Sequence, residues 1–588
     1  MTDPGEPMKQ LALLLLTMAL AAPASTILAD ETSGPESADR KPKLNGAARE
    51  YLLQGHFKSA PQTLDGALEF LEMPLAIREH CAAESWEKGQ LEKFGINRQF
   101  FLARCPDGKT RAFHYRGDER RNERELTPAQ VRVLRRLYSE TAFTAPPPAE
   151  FTRARERGRL QGPDEVLLVA RARCEAAGLK LDETTLARLD KNLKAESTRL
   201  GELALALSAL AECDNAGELC WAALWTISRM DTMSFARENR SLSKGDLTTV
   251  EARAFFENVF YAVKARNEMP WGRSVSERDF LHHVLSPRGT GEPAQRWRRQ
   301  YYEALAPELK DVKDPAEAIK LATDLVYSFF QYEGDTTWED FGMLTALAVH
   351  EGRCEDCSNV ENCMLRAVGL PACQAFTPWW GNGDGNHAWT EIPGLRKVSG
   401  DGTGGGAVKI FIKTWDGLDD VTDQYVSVTR LEVAATGDGQ ASLNVFNHEQ
   451  WRTLARAPVA QGKALFEKVG CRKPFALVVK VEGMPDRAFA VETDKSVRPL
   501  LSGQAQDGLF EARFEKQCAL GEFRPDKSVK VLVWSAEGWQ EVSAERVSTG
   551  AIKFMASKDC LYRLVGEGLR DRPFTLTEAE GTLSVTQR

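Results

Sequence analysis

Three residues, in chain order, supply a thiol, an imidazole and a carboxylate: Cys354, His387 and Asp401. A thiolate attacks a carbonyl carbon, an imidazole takes the thiol proton and returns it to the leaving group, and a carboxylate orients the imidazole. This set predicts nucleophilic catalysis through a covalent thioester. Asp384 and Asp416 are alternative candidates for the carboxylate.

The elements that must position these groups are indicated by the residues around them. Apolar residues recur at helical spacing after Cys354, and Gly369 with Pro371 ends the pattern, which predicts a helix beginning at Cys354. A thiol at that position lies at the positive end of the helix dipole, which lowers its pKa. Strands are predicted over 371–376 and from His387 onward.

Aromatic residues surround the predicted histidine. The loop TPWWGNGDGN carries Trp379 and Trp380, and Trp389 follows His387 in the next strand. Indole rings there would stack on a peptide or a sugar, or would cap the core, and the sequence leaves both alternatives open. We therefore treat the three tryptophans as candidate substrate-binding residues.

A family resemblance rests on these motifs. The order GRCEDCSN, helix, GLPA, HAW and a strand ending in Asp resembles the transglutaminase-like core of the papain-type cysteine superfamily, over about residues 338–402. The resemblance implies that Cys354 is the nucleophile, His387 the base and acid, and Asp401 the orienting group. A wider resemblance, carried by FLHHVLSPRGTGEPAQRWRRQYYEAL, DVTDQYVSV and LNVFNHEQW, is to exported bacterial proteins with this domain.

The resemblance implies thiol-dependent amide hydrolysis or acyl transfer on a peptide or protein, with no organic cofactor. Calcium occurs in some relatives, but no loop with EF-hand spacing is found in this sequence. The backbone N–H of Cys354 is the expected first oxyanion donor, and Gln331 or Trp338 is a candidate for the second. An alternative is an inactive scaffold of this fold that binds glycan or protein.

Two further chemistries fit the cysteines of this segment. A metal site would draw on five closely spaced residues: His350, Cys354, Cys357, Cys363 and Cys373. The spacing Cys354-x2-Cys357 is typical of a zinc knuckle and also of a dithiol oxidoreductase. Two acids between these cysteines, Glu355 and Asp356, oppose thiolate formation.

Composition bounds the remaining function classes. The 588 residues are 43% hydrophobic and 27% charged, with a net charge of −8. These values are typical of a multidomain globular protein and give no basic face for nucleic acid. Lys9 and the uncharged run 11–22 predict a signal peptide over 1–29, with an N-terminal anchor as the alternative. We expect export to the periplasm, the cell surface or the medium, and no other membrane contact.

The predicted fold is multidomain α+β: a mostly helical N-terminal region, a transglutaminase-like (papain-type) α+β core and C-terminal antiparallel β-sandwich modules. The predicted segments after the signal are a linker (30–45), a small mixed α/β segment (46–125), a helical region (126–310), the core (311–407), a β-sandwich-like module (408–505) and a second β-rich module (506–588). An exported protein with twelve cysteines is expected to form disulfides, and Cys213–Cys220 and Cys81–Cys105 are candidates.

Overall fold

A computed structural model describes most of the chain after residue 67. The described residues are 68–71, 99–104, 107–116, 119–139, 145–157, 162–196, 198–230, 246–292, 294–334, 340, 342–395, 406–504, 507–515, 517–522, 527–547, 550–579 and 582–588. The predicted signal peptide and linker lie outside them. The chain forms two compact units, the first of residues 1–374, 389–396 and 413–418, the second of residues 375–388, 397–412 and 419–588.

The first unit begins with a four-stranded antiparallel sheet in the order β1-β2-β3-β4. Its strands are β1 (Leu68–Leu71), β2 (Gln99–Arg104), β3 (Thr110–Arg116) and β4 (Glu119–Leu126). The predicted β2–β3 hairpin is confirmed, with Gln99 opposite Tyr115. Strand β4 was not predicted, because its sequence ERRNEREL contains almost no residue that favours strands.

Helices dominate the rest of the first unit. They are α1 (Pro128–Leu137), α2 (Ala149–Arg157), α3 (Pro163–Ala176), α4 (Glu183–Lys194), α5 (Leu200–Ala211), α6 (Ala216–Arg229), α7 (Asp246–Thr249), α8 (Ala252–Glu268), α9 (Glu277–Asp279), α10 (Arg298–Leu309), α11 (Pro315–Phe329), α12 (Met343–Val349) and α13 (Cys354–Ala367). A 3-10 turn (Gly272–Ser274) and a π-helical turn (Phe280–Val284) lie between α8 and α10.

Side chains cap two helix starts of the first unit. Thr127 caps α1 by accepting a hydrogen bond from the Gln130 backbone N–H, and Pro128 occupies the first turn. Asp314 caps α11 by accepting a hydrogen bond from the Ala316 backbone N–H. Helix α11 ends at Phe329, because Phe330 is already extended and a short strand follows it.

The nucleophile helix α13 is anchored in the larger hydrophobic core of the first unit. Its buried residues Val360, Met364 and Val368 pack with residues of α10 and α11, including Tyr301 and Val326. The helix ends at Gly369, which has φ +77°, and the Leu370 N–H bonds back to the Leu365 carbonyl at 3.1 Å. This is the glycine-terminated end that the sequence predicts.

Six short strands complete the region around α13. Strands β5 (Gln331–Tyr332) and β6 (Glu351–Gly352) pair in parallel. A separate sheet has the order β10-β9-β7-β8, with β7 (Cys373–Thr377), β8 (His387–Glu391), β9 (Phe411–Thr414) and β10 (Gly417–Asp420). The predicted strands after the helix are thus confirmed.

The second unit is built from antiparallel sheets after the short helix α14 (Thr422–Tyr425). A seven-stranded sheet, ordered β11-β14-β13-β12-β15-β16-β17, comprises β11 (Val428–Ala434), β12 (Gln440–Asn447), β13 (Gln450–Ala460), β14 (Lys463–Gly470), β15 (Phe475–Val481), β16 (Arg487–Val491) and β17 (Val497–Pro499). Leu431, Leu443, Phe466 and Leu477, from separate strands of this sheet, share one core.

The chain then forms three smaller sheets, in the orders β18-β24-β23, β19-β20 and β22-β21-β25-β26-β27. Their strands are β18 (Phe510–Phe514), β19 (Gln517–Cys518), β20 (Gly521–Glu522), β21 (Lys530–Ser535), β22 (Gly538–Val542), β23 (Ala544–Arg546), β24 (Ile552–Ala556), β25 (Leu561–Val565), β26 (Phe574–Ala579) and β27 (Thr582–Gln587). Phe514 and Phe554 of the three-stranded sheet pack with Tyr562 and Phe574 of the five-stranded sheet. Helices in the N-terminal half and antiparallel sheets in the C-terminal half make this a multidomain α+β protein.

The predicted Cys213–Cys220 disulfide is wrong, because both residues are buried thiols. The Cys213 Sγ donates to the Ala209 carbonyl at 3.4 Å, and burial raises the pKa of each thiol to about 12. Cys81 and Cys105 lie outside the described residues. Within the described ranges, no helix combines the length and apolar character that a bilayer crossing requires.

Candidate active site

Cys354 is the first residue of α13, and its side chain is half-buried. The helix begins there because Arg353 is extended and Asp356 accepts a hydrogen bond from the Arg353 backbone N–H at 2.9 Å. An acid three residues after the N-cap residue stabilises a helix start in this way. The N–H groups of the first turn of an α-helix, including that of Cys354, have no acceptor within the helix.

Gly352 allows the chain to pass close to this helix start. A Cβ at Gly352 would lie 2.7 Å from the Asp356 Cβ and 2.9 Å from the Phe330 Cζ, closer than real Cβ contacts. Tyr332 pairs with Gly352 in the parallel β5–β6 ladder, which fixes the approach to the helix. The glycine of the GRC motif is therefore a packing requirement.

Arg353 joins two carboxylates beneath the helix start. Its Nη2 donates to Asp340 Oδ1 at 2.6 Å, and its Nε lies 3.4 Å from Oδ2 of the fully buried Asp356. Burial lowers the pKa of Arg353, but Asp356 and then Asp340 raise it, and the net shift is upward. The guanidinium therefore stays charged and ties α13 to the segment that contains Asp340.

A loop before α10 forms a second tie to α13. The Thr290 hydroxyl donates to Asp340 Oδ2 at 2.5 Å and accepts from the Asn359 amide at 2.7 Å, while Glu292 accepts from the Thr290 backbone N–H. A Cβ at Gly289 would overlap the Asn359 side chain. Close backbone approach and shared carboxylates therefore fix this loop against the first turns of the helix.

The surroundings of the thiol carry charges of both signs. The Cys354 Sγ donates to Glu355 Oε2 at 3.1 Å, a contact that favours the protonated thiol over the thiolate. Burial lowers the pKa of Lys413, and the carboxylates of Asp340 and then Glu355 act in the opposite direction. Lys413 thus lies close enough to these carboxylates to offset part of their charge.

Tyr332 of β5 pairs with Gly352, two residues before Cys354. It is 67% exposed. Partial burial and the neighbouring Cys354 and Glu355 raise the pKa of Tyr332. Its phenol therefore stays protonated and can donate a hydrogen bond to a group that reaches the thiol.

The second cysteine of the CxxC motif has different surroundings. Burial, followed by Asp356 and Cys354, raises the pKa of Cys357 well above its ordinary value, so its thiol stays protonated. His350, another candidate metal ligand, stacks on Phe100 with ring centroids 5.2 Å apart. Within the described ranges, no three or more His, Cys, Asp or Glu side chains form a group that could hold a metal ion.

His387 is the first residue of β8 and is half-buried. Its ring stacks on Trp380, with centroids 6.1 Å apart and planes inclined by 25°. The structure therefore brings together the predicted histidine and one of the predicted tryptophans. Trp380 is itself half-buried, so part of its indole surface is exposed beside the imidazole.

The other two predicted tryptophans have different settings. Trp389 is only 6% exposed, which leaves little of its indole for a ligand. Trp379 packs against the core of the seven-stranded sheet, with the Arg452 guanidinium 5.2 Å from its ring centroid. Both indole rings thus cover the hydrophobic core, and neither forms an open surface for stacking on a ligand.

Cys354 belongs to the first unit and His387 to the second. The later residues of β8, from Trp389 onward, belong to the first unit. Within it, the Thr390 hydroxyl lies 3.4 Å from the Ser358 carbonyl oxygen, one turn of α13 after Cys354. Strand β8 is thus attached to the first turns of the nucleophile helix.

The three candidate carboxylates differ in their contacts. Asp401 lies outside the described residues. Asp384 lies 3.4 Å from Arg572 Nη1 and accepts a hydrogen bond from the His448 backbone N–H. Asp416 accepts from Arg188 Nη1 at 2.5 Å. The two alternatives to Asp401 thus have basic partners of their own.

Sequence reasoning missed several residues of this site. Asp340, Thr290 and Lys413 lie far from Cys354 in sequence, and no local spacing predicts their contacts. A signal for Thr290 was present, since the segment SPRGTGE lies within the wider resemblance. Of the two candidates for a second oxyanion donor, Gln331 lies on β5 beside β6, and Trp338 lies outside the described residues.

Comparison with known proteins agrees with this geometry. Residues 303–398 match the family model of the transglutaminase-like superfamily. The matched range contains α11, β5–β8 and α13, with both Cys354 and His387. A search of curated proteins found no match. The chain therefore carries a transglutaminase-like core.

Proposed function

We propose that this protein is an exported transglutaminase-like enzyme that hydrolyses amides or transfers acyl groups on peptide or protein substrates. The observation that carries the proposal is the position of Cys354, a half-buried thiol at the first residue of a 14-residue helix. The helix dipole there favours a thiolate, and the backbone N–H of Cys354 is the proposed oxyanion donor. Export rests on the N-terminal sequence alone.

In the proposed reaction, His387 removes the thiol proton and the Cys354 sulfur attacks the amide carbonyl carbon. The carbon–nitrogen bond breaks, the imidazolium gives its proton to the leaving amine, and a thioester remains. Water or a second amine then attacks the thioester and restores the thiol. The pairing of His387 with Cys354 is supported by the family match, which covers both residues. Asp401 would orient the imidazole, and Trp380 would contact the substrate.

The alternative is a scaffold without catalytic activity that binds glycan or protein. It is favoured by one observation, the Glu355 carboxylate 3.1 Å from the Cys354 sulfur. A negative charge at that distance opposes the thiolate that the reaction requires. Lys413 and Arg353 work in the opposite direction, since both are cations close to the same carboxylates.

The test is an isotope assay with glutamine- and asparagine-containing peptides in water enriched in oxygen-18, with and without a primary amine. Hydrolysis would add one heavy oxygen to the product, and transfer would add the amine mass. Cys354→Ala should lower the rate by roughly a thousandfold or more. Cys518→Ala is the matched control, because Cys518 is also a half-buried thiol. Equal turnover by wild type and Cys354→Ala, or turnover by neither, would contradict the proposal.

A further inference from the structure

A groove of about 1110 Å³ in the first unit, which we call the basic groove, lies away from the residues of the proposed chemistry. It is bounded by strands β2, β3 and β4 and by helices α1 and α11. Six basic side chains line it: Arg104, Lys109, Arg124, Arg132, Arg135 and Lys320. Of the described lining residues only Glu125 and Asp324 are acidic, so this lining is strongly cationic in a chain of net charge −8.

The strand register explains why arginines lie in this groove. Leu102 and Ala112 are cross-strand partners in the core, and Arg124 is the partner of Ala112 on the next strand. Arg104 lies two residues beyond Leu102 and therefore on the same face. Both arginines thus project from the core-facing side of the sheet, at its end, where the packed core gives way to solvent.

Several of the basic side chains are already neutralised. Lys109 bonds to Glu125 at 2.7 Å, Arg132 bonds to Glu308 at 2.6 Å, and Lys320 pairs with Asp324. The Lys109–Glu125 pair is about half exposed, and such pairs contribute only about 0–1 kcal/mol, so a ligand anion can replace Glu125 at low cost.

Arg104 and Arg124 differ from these pairs. Both are exposed, and in the described part of the chain neither has an acidic partner. Strand β3 lies between the strands that carry these two arginines, so separate carboxylates of one ligand can pair with each arginine. The planar guanidinium matches carboxylate geometry with two parallel hydrogen bonds.

We propose that the basic groove binds an acidic peptide segment whose carboxylates pair with Arg104 and Arg124. The described residues of the groove lining include no aromatic side chain, so they offer no stacking surface of the kind that sugars and nucleotide bases use. Its floor includes Leu102, Leu126 and Val131, which suit the aliphatic side chains of a peptide. The volume exceeds that of a small anion and accommodates several residues. This site is separate from the thiol chemistry and does not depend on it.

The test is fluorescence anisotropy of the full chain with a fluorescein-labelled peptide of repeated Glu-Glu-Leu, at low salt. We expect saturable binding that weakens as salt is raised, because the contacts are ionic. Charge-assisted hydrogen bonds contribute enough that Arg104→Glu and Arg124→Glu should each weaken binding about tenfold or more. Arg472→Glu with Lys473→Glu is the matched control, since both residues are exposed, and it should change affinity less than about twofold.

Three outcomes would overturn the proposal. One is no saturable binding of the acidic peptide. Another is an equal loss of peptide affinity in the Arg472/Lys473 control, which would mean that the peptide is attracted by overall charge and not by the groove. A third is tight binding of inorganic polyphosphate with no binding of the peptide, which would assign the groove to phosphate. Thermal unfolding of each variant verifies that the first unit is folded. Amidase turnover by Cys354 is measured separately, so failure of either proposal is recognised by itself.

Discussion

The charged side chains at the start of α13 and the Lys463–Glu432 pair of the second unit have opposite surroundings. Asp356 is fully buried, and Arg353 bonds to it and to Asp340. In the second unit, Lys463 bonds to Glu432 at 3.1 Å with side chains 43% and 40% exposed. The first arrangement fixes a helix start in one position, whereas the second leaves its partners largely in solvent.

The two arrangements respond differently to substitution. Removal of one partner from a buried pair leaves an uncompensated charge away from water, which costs about 3–5 kcal/mol. An exposed pair contributes about 0–1 kcal/mol, because water replaces each lost contact. Substitutions of the buried pair near Cys354 should therefore destabilise the protein much more than substitutions of the exposed Lys463–Glu432 pair.

The largest expected effect is that of Asp356→Ala. It removes the capping acceptor of α13 and leaves Arg353 without one of its two carboxylates. We expect the free energy of unfolding of the first unit to fall by about 3–5 kcal/mol, measured by urea titration. The matched control, Glu432→Ala, should change the second unit by less than about 1 kcal/mol. Equal losses of unfolding free energy in Asp356→Ala and Glu432→Ala would contradict the expected difference between the buried and the exposed pair.

Gly352→Ala should have the next largest effect. The new methyl group would overlap Asp356 and Phe330, and overpacking of this kind costs typically about 1–3 kcal/mol. Gly439→Ala is the control, because the space around Gly439 is open for a Cβ. The measurement is the urea midpoint of each variant. Equal midpoints for Gly352→Ala and wild type would show that the GRC glycine is not needed for packing.

A smaller effect is expected from Glu308, which bonds to Arg132 and Arg136. The hydrogen bond from Arg132 outweighs burial and lowers the pKa of Glu308. A depressed carboxyl pKa gives stability above the unfolded pKa of about 4.3, which is lost as the pH falls through the folded value. Glu308→Gln should reduce the loss of stability between pH 7 and pH 3.5. Asp324→Asn, at the exposed pair with Lys320, is the control. If the free energy of unfolding of Glu308→Gln depended more strongly on pH than that of wild type, the expected direction of the pKa effect would be contradicted.

Local patterns predicted the site elements well. The start of α13 at Cys354, its glycine end and the strands β7 and β8 after it are predicted by spacing and turn residues that lie within a few positions. Antiparallel β modules were predicted after residue 407, and antiparallel sheets are found there. Within them, β13 and β14 have no clear strand pattern, because Gln450–Gly470 is rich in alanine and charged residues and contains Pro458.

The residues of the site that the sequence did not predict are positioned by tertiary contacts. Thr290 and Asp340 meet only because the chain folds the loop before α10 against α13, and no periodicity contains that information. The two-residue pairing of β5 and β6 is too short for a strand pattern. Charge placement is also tertiary, since Lys413 reaches the carboxylates near Cys354 from β9.

The central claim is that Cys354 is a nucleophile assisted by His387, and the most direct test is the pH dependence of its alkylation. Limiting iodoacetamide and peptide mass mapping would compare Cys354 with Cys518 in one sample. We predict fast labelling of Cys354 near pH 6 that slows in His387→Ala, while Cys518 labelling is unchanged by that substitution. A Cys354 profile like that of an ordinary thiol, with a pKa of about 8.5 and no response to His387→Ala, would contradict the claim.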